Sequence, residues 1–187
     1  NIIKGLKKGN VKTDDGITIY ANTFIYNKKL NTLEAIGNVS MNDVEKDVKL
    51  FANKIIYNKD KEIIKTIDNS KAIYNKSKFI QANSFNYKKA ENILIADGNV
   101  RAEDKIKNYI LFAENLTYDK NLEKISTVGK TKSLIKSKFE VNTNDIIFLI
   151  NENNLSSKSL SEIKDTNSNV YKVSNFKYSI EKEILKG

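Results

Sequence analysis

The sequence contains no cysteine, histidine, proline or tryptophan. Without His or Cys the chain has no thiolate nucleophile, no Ser-His dyad and no zinc site of the usual ligands, so catalysis would depend on carboxylates or lysines. The Asp and Glu residues are scattered over polar turn segments and never gather with a nucleophile in one recurring place. We therefore expect no enzyme activity, no catalytic residues, no metal site and no cofactor.

Arginine is also nearly missing, because Arg101 is the only one beside many lysines, and the formal net charge is +9. A basic chain invites a nucleic-acid interpretation, since cations neutralise phosphates. Arginine, however, is the preferred side chain for phosphate forks and base edges, and the lysines are spread along the chain. We expect no nucleic-acid partner, while an anionic lipid head group stays open as a ligand.

Long apolar runs are absent as well, and no stretch of 18 residues is apolar enough to span a bilayer as a helix. The chain has 187 residues, of which 40% are hydrophobic and 29% charged, which is typical of one folded domain. A protein without cysteine fits any redox compartment. Composition therefore leaves the location open.

The sequence does contain a repeat of about 30 residues. Segments such as ANTFIY, ANKIIY and ANSFNY recur, and a second signature, Gly37-Asn38-Val39 and Gly98-Asn99-Val100, follows eleven residues after the aromatic residue of two copies. The chain begins and ends inside a repeat, as a fragment of a longer protein would. The aromatic residues that close each segment are Tyr26, Tyr57, Tyr87, Tyr118, Phe148 and Tyr178.

Apolar residues alternate with a period of two inside each unit, which predicts strands. The phase slips by one residue between the alanine and the next apolar position, as from Ala21 to Phe24, and this predicts a β-bulge there in every copy. Polar turns then connect two antiparallel strands per unit. Because a lone hairpin is marginal in water, neighbouring hairpins must stack. The sequence predicts an all-β jellyroll over residues 1–187, with exposed edge strands at both ends and the aromatic residues stacked as cross-strand pairs.

Two copies carry a resemblance to a known family. Residues 17–39, ITIYANTFIYNKKLNTLEAIGNV, and residues 79–100, FIQANSFNYKKAENILIADGNV, resemble the OstA/LptA-like family, and the similarity covers about residues 9–148. The resemblance implies a V-shaped β-jellyroll that carries the acyl chains of lipopolysaccharide across the periplasm and joins its partners end to end through edge strands. It also implies a non-enzymatic protein.

Within the family, the incomplete repeats at both ends favour the N-terminal domain of an LptD-type protein. That assignment implies a periplasmic location attached to the outer membrane, LptE and the protein's own β-barrel as partners, and LptA as a neighbour. A free-standing LptA-type carrier and a structural β-repeat protein such as an adhesin are the alternatives.

The resemblance makes the inward apolar positions candidates for a lipid-binding groove, although a sealed core is an equally good interpretation of each one. Alanines such as Ala35, Ala52 and Ala96 leave room either for close sheets or for an acyl chain. Lysines near the groove mouth are expected to hold the phosphates of lipid A. The groove candidates are Ile19, Phe24, Leu33, Val39, Leu50, Ile55, Ile80, Phe85, Leu94, Val100, Leu111 and Leu116.

The first complete strand is the candidate for partner binding. Ile17, Thr18, Ile19, Tyr20 and Ala21 carry no charge, and the chain has no proline to blunt an edge. We expect this strand to accept a strand of LptA by β-augmentation. The alternative is that residues 1–12, which contain a partial repeat, fold back and cover it.

Overall fold

The computed structural model describes residues 1–14, 16–45, 47–74 and 76–187, and these residues form antiparallel β-structure, as the sequence predicts. The N-terminal strands are β1 (Ile2–Gly5), β2 (Gly9–Lys12), β3 (Ile17–Ala21), β4 (Thr23–Asn27), β5 (Thr32–Asp43), β6 (Val48–Asn58), β7 (Ile63–Ile67), β8 (Ser70–Tyr74), β9 (Lys78–Ala82) and β10 (Ser84–Lys88). The C-terminal strands are β11 (Ile93–Asp104), β12 (Tyr109–Asp119), β13 (Lys124–Ile135), β14 (Phe139–Leu149), β15 (Asn154–Ser156), β16 (Ser161–Asp165), β17 (Val170–Val173), β18 (Lys177–Ser179) and β19 (Ile184–Lys186).

The strands form two faces that share one bent sheet. Face A contains β1, β4, β7, β10, β15, β18 and β19. It also contains one half of each long strand, namely the half that includes an aromatic position or the residue paired with one. Face B contains β2, β3, β8, β9, β16, β17 and the other halves of the long strands. The long strands β5, β6, β11, β12, β13 and β14 cross from one face to the other. We call the line where they cross the spine, and the opposite margin, where the hairpin turns lie, the mouth.

The spine is built from irregular pairs. The register shifts between Ile36 and Val39 and again between Asp97 and Val100, so that two residues on one strand oppose one residue on its partner. A third shift separates Val128 from Thr131. An irregularity does lie at this step in these three pairs, but the prediction is wrong about the strand. The extra residue belongs to the strand that carries the glycine, Gly37, Gly98 or Gly129, and not to the strand with the alanine.

Left-handed backbone explains the Gly-Asn sequence at the spine. Gly37 and Asn38 have φ values of 80° and 49°, and Gly98 and Asn99 have 73° and 53°. Glycine and asparagine are the residues that adopt this conformation at least cost. In the second copy the same register is occupied by Asp68-Asn69, which also has positive φ at both residues. The two-residue signature therefore supplies the left-handed backbone that the bend requires.

At the spine, the second and fourth copies have hydroxyl side chains at the positions where the first and third copies have a pair of apolar residues. Thr66 Oγ1 lies 2.6 Å from Ser70 Oγ and accepts the backbone N–H of Phe85 at 2.8 Å. Thr127 Oγ1 accepts the N–H of Ile146 at 2.9 Å. These side chains satisfy backbone donors near the bulges, where the ladder is interrupted, and an unmade bond at a buried donor would cost about 1–3 kcal/mol.

The aromatic residues lie on one row of face A, but they do not stack on one another. Tyr57 pairs with Ile64, which pairs with Tyr87, and Leu94 separates Tyr87 from Tyr118. The expectation of cross-strand aromatic pairs along this row is wrong, because the intervening strand of each repeat places an aliphatic residue there. The aromatic contacts instead join the faces: Tyr109 and Phe148 have ring centroids 4.9 Å apart, and Phe139 and Tyr178 lie 5.4 Å apart.

The structure also corrects the position of the N-terminal edge. Ile17–Ala21 is paired on both sides, with β2 and with β5, so it is not an edge strand. The partial repeat at residues 9–12 supplies the covering strand, with Val11 opposite Ile19. Within the described ranges, β1 and β2 have one partner each at this end, and β17 and β19 have one partner each at the other.

None of the described ranges forms a helix that is long and apolar enough to cross a membrane.

Candidate functional site

An apolar cleft opens at the middle of the mouth, between the two faces. Its cavity volume is about 90 Å³, so the cleft is narrow between the faces and continues outward into open solvent. Aliphatic and aromatic side chains form most of its wall, and two lysines stand at the rim. We call it the central cleft; it is lined by Val48, Leu50, Ala72, Ile73, Tyr74, Lys78, Phe79, Ile80, Tyr87, Asn92, Leu94, Ala102, Glu103, Tyr109, Tyr118, Lys120, Ile125 and Ile150.

Small residues on face B explain why the cleft lies in the middle of the molecule. Ala72 and Ala102 both pair with Ile80 and point to the interior. The equivalent positions, two residues after the spine in the first and fifth copies, are Met41 and Ile163, which are 1% and 3% exposed. This position therefore has a long side chain in the first and fifth copies and a short one in the second, third and fourth copies, where the fourth has Ser133.

Polar bridges across the mouth lie on both sides of the cleft. The ammonium of Lys59 lies 3.1 Å from Asp14 Oδ2 towards the N-terminus. Towards the C-terminus, Lys107 Nζ donates to Ile150 O at 3.1 Å and to Asn153 Oδ1 at 2.7 Å. The faces are thus tied together on either side, and the cleft is the opening between the ties.

Tyrosines give the cleft a neutral, partly polar wall. Burial raises the pKa of Tyr109 and Tyr118 above the ordinary value, and it raises the pKa of Tyr87 in the same direction. The hydroxyl of Tyr118 also donates to Glu123 Oε2 at 3.3 Å. These phenols stay uncharged at neutral pH, so their rings present apolar surface to the cleft while their hydroxyls remain near the rim.

The groove candidates from the sequence fall into three groups. Leu50, Ile80 and Leu94 line the central cleft. Phe24 and Leu33 border a second opening at the N-terminal end, next to β1 and β2. The others are buried in the core: Ile19, Val39, Ile55, Phe85, Val100, Leu111 and Leu116. Contact of any of these residues with lipid stays a prediction.

Sequence analysis missed the residues that create the cleft. The alanines that were expected to leave room for an acyl chain, Ala35, Ala52 and Ala96, are buried at or near the spine, where the two faces meet. The free space comes from Ala72 and Ala102, and the rim from Tyr74, Lys78 and Lys120. A comparison of the copies could have found the two alanines, because the same repeat position holds Met41 and Ile163.

Comparisons with known proteins agree with this architecture. The family described as OstA-like protein matches residues 3–98, which is just over half of the chain. No curated protein matches. Among solved structures, the chain is similar to LptH of Pseudomonas aeruginosa, described as the LptA-homologous periplasmic component of the conserved lipopolysaccharide transport device. The TM-score is 0.56 at 13% identity, and the similarity covers 62% of this chain and 83% of LptH. At that identity the likeness shows the fold, and the family match places the chain: it belongs to the OstA-like family.

Proposed function

We propose that the protein carries lipopolysaccharide in the periplasm, holding lipid A acyl chains in the central cleft. The observation that supports this most is the cleft itself, an apolar opening between two faces that polar bridges tie together on either side. The similarity to a periplasmic component of a lipopolysaccharide transport device supports the same function.

Acyl burial supplies enough free energy for a carrier. Each methylene that leaves water contributes about 0.8 kcal/mol, so an acyl chain of about ten methylenes supplies about 8 kcal/mol, against an association cost of about 4 kcal/mol or more. The lining around Ile80 and Leu94 is almost entirely apolar, which suits an acyl chain. A carrier of this kind needs no catalytic group, and we propose that the protein is not an enzyme.

The unpaired margins of the two faces support assembly with other members of the transport device. At the N-terminal end β1 and β2 each leave one side without a strand among the described residues, and β17 and β19 do so at the C-terminal end. A strand of a neighbouring protein can add to such a margin through backbone hydrogen bonds. We propose β1 and β2, in place of Ile17–Ala21, as the N-terminal contact for an LptA-type partner.

The finer assignment to an LptD-type protein is a hypothesis about the whole polypeptide. It predicts that residues 1–187 form one domain held at the outer membrane, beside LptE and a β-barrel of the same polypeptide. Purification of the full-length protein from its native membranes tests it. Co-purification with LptE supports the LptD type, recovery as a free periplasmic protein supports the LptA type, and recovery from the cell surface supports a structural repeat protein.

Filling the cleft tests the carrier function. The variant Ala72→Met with Ala102→Met copies the native Met41 of the first copy, so the added side chains suit this backbone. We expect binding of a fluorescent lipopolysaccharide to fall at least tenfold while the circular dichroism stays that of the parent. The matched control is Gln81→Met, which adds the same side chain beside Ile80 on the exposed outer surface. Undiminished binding by the double variant would exclude the central cleft as the site.

A further inference from the structure

We propose that Lys120, assisted by Lys78, makes the central cleft selective for amphiphiles that carry a phosphate at the head. The inference rests on the proposed function, since the acyl chain must first occupy the cleft. It adds the chemical class of the head group and the residues that recognise it.

Both ammonium groups are held at the rim by one aromatic ring. Lys120 Nζ lies 5.0 Å and Lys78 Nζ 5.7 Å from the ring centroid of Tyr74, which itself lines the cleft. Lys120 comes from a turn of face A and Lys78 from the start of β9 on face B, so the cations stand on opposite margins of the opening. An acyl chain that enters between Ile80 and Leu94 would leave its head group beside them.

The two lysines differ in how well their charge is already balanced. Lys78 Nζ lies 4.0 Å from the buried Asp104 Oδ2, at the limit of an ion pair. Among the described residues the Lys120 side chain has no ion pair or hydrogen bond, and its ammonium lies over the Tyr74 ring. Lys120 therefore has the greater capacity to bind an added anion.

Three acidic side chains near the rim contact groups other than Lys120, and the cation paired with Asp104 Oδ2 is Lys78. Asp104 Oδ1 accepts the backbone N–H groups of Ile106 and Lys107, each at 3.0 Å. Asp119 Oδ1 accepts those of Asn121 and Leu122, also at 3.0 Å. Glu103, which lines the cleft, is paired with Arg101. The rim is left with a positive charge that no described acidic side chain pairs with.

A phosphate monoester fits this arrangement better than a neutral head group. It carries about −1.5 to −2 charges at neutral pH and offers three acceptor oxygens, so it can reach both margins of the cleft. Lysine binds phosphate as a point charge with rotatable donors, which suits a flexible rim. The contact is half exposed, so each lysine contributes up to about a fivefold gain in affinity at low ionic strength.

Two amphiphiles with the same tail separate the head-group inference from the carrier function. Dodecyl phosphate and dodecyl maltoside are titrated by calorimetry, below their micelle concentrations, into the complete chain. We expect the chain to prefer dodecyl phosphate by about tenfold at low ionic strength. The variant Lys120→Gln should lose most of this preference, and Lys78→Gln less, because Asp104 already balances Lys78. Maltoside titrations of the same variants report any change in the cleft that both amphiphiles share, so the ratio of the two affinities is the readout.

The control variant is Lys28→Gln with Lys29→Gln, which removes two charges from the equivalent turn of the first copy. Equal binding of both amphiphiles to the parent would overturn the head-group inference and leave the acyl cleft intact, whereas binding of neither would remove the proposed function. An equal loss in the control would mean that net charge and not Lys120 is responsible. Inorganic phosphate alone is the last arm, and competition by it as strong as that of dodecyl phosphate would show a site for the free ion.

Discussion

The bend at the spine makes a quantitative prediction about one glycine. A Cβ added to Gly98 would lie 2.3 Å from Asn83 Nδ2 and 2.9 Å from Asn83 Cγ, and the backbone φ there is +73°. A left-handed alanine costs about 1–2 kcal/mol, and displacing the short Asn83 side chain adds about 1 kcal/mol. Gly98→Ala should therefore lower the free energy of unfolding by about 2–3 kcal/mol.

Gly129 offers a matched comparison at the next bulge. Its φ is +86°, but the nearest atom to an added Cβ is Glu114 Oε2 at 2.9 Å, and the next lies at 3.6 Å. The end of a glutamate side chain moves away freely, so Gly129→Ala should lose only the backbone contribution of about 1–2 kcal/mol. Both variants add a methyl group to a glycine with left-handed backbone, and they differ in the side chain that this methyl group contacts.

Urea denaturation followed by circular dichroism measures both costs. With a slope of about 2 kcal/mol per molar urea, the midpoint of Gly98→Ala should fall by about 1 M or more. Adding Asn83→Ala to Gly98→Ala should recover the steric part and leave the backbone part, which a double-mutant cycle separates. Equal losses for the two glycines, with no recovery in the double variant, would refute the packing of Asn83 against Gly98.

Two further predictions concern the interior. Met41→Ala should lower the free energy of unfolding by about 2–5 kcal/mol, because it removes a buried side chain and leaves a cavity. An unchanged urea midpoint would contradict the view that Met41 fills the space between the faces at this position. Burial raises the pKa of Tyr109 above its ordinary value of 10.0. The neutral phenol therefore makes its full contribution to the free energy of unfolding below that pH, and this contribution is lost as the pH rises above it. The urea midpoint should fall above about pH 10 and fall less in Tyr109→Phe, and identical pH profiles would disprove this role of Tyr109.

The local sequence pattern was sufficient to predict the antiparallel strands and the positions of the bends. The period-two alternation and the phase slip after Ala21 lie within a few residues of one another, and they determine which side chains face inward. The pairing of Ile17–Ala21 could not be derived in this way, because Val11 supports either a free end or a covering strand. Only the long-range register distinguishes the two.

The position of the cleft depends on which residues of face A lie opposite which residues of face B. Tyr74 lies on face B in the second copy, and Lys120 reaches it from a turn of face A that follows the fourth aromatic residue. Lys107 likewise contacts Asn153, 46 residues further along the chain. Such contacts arise from the twist accumulated over several strands, which the sequence of one repeat does not encode.

Site-specific photo-crosslinking to lipopolysaccharide tests the central claim most directly. A benzophenone side chain replaces, one at a time, the cleft residues Ile80 and Leu94, the core residue Val100 and the outward residues Asn53 and Asn83. The account predicts lipopolysaccharide adducts at Ile80 and Leu94 and none at Asn53, Asn83 or Val100. Equal labelling at Ile80 and Asn83, or labelling at neither cleft position, would contradict it.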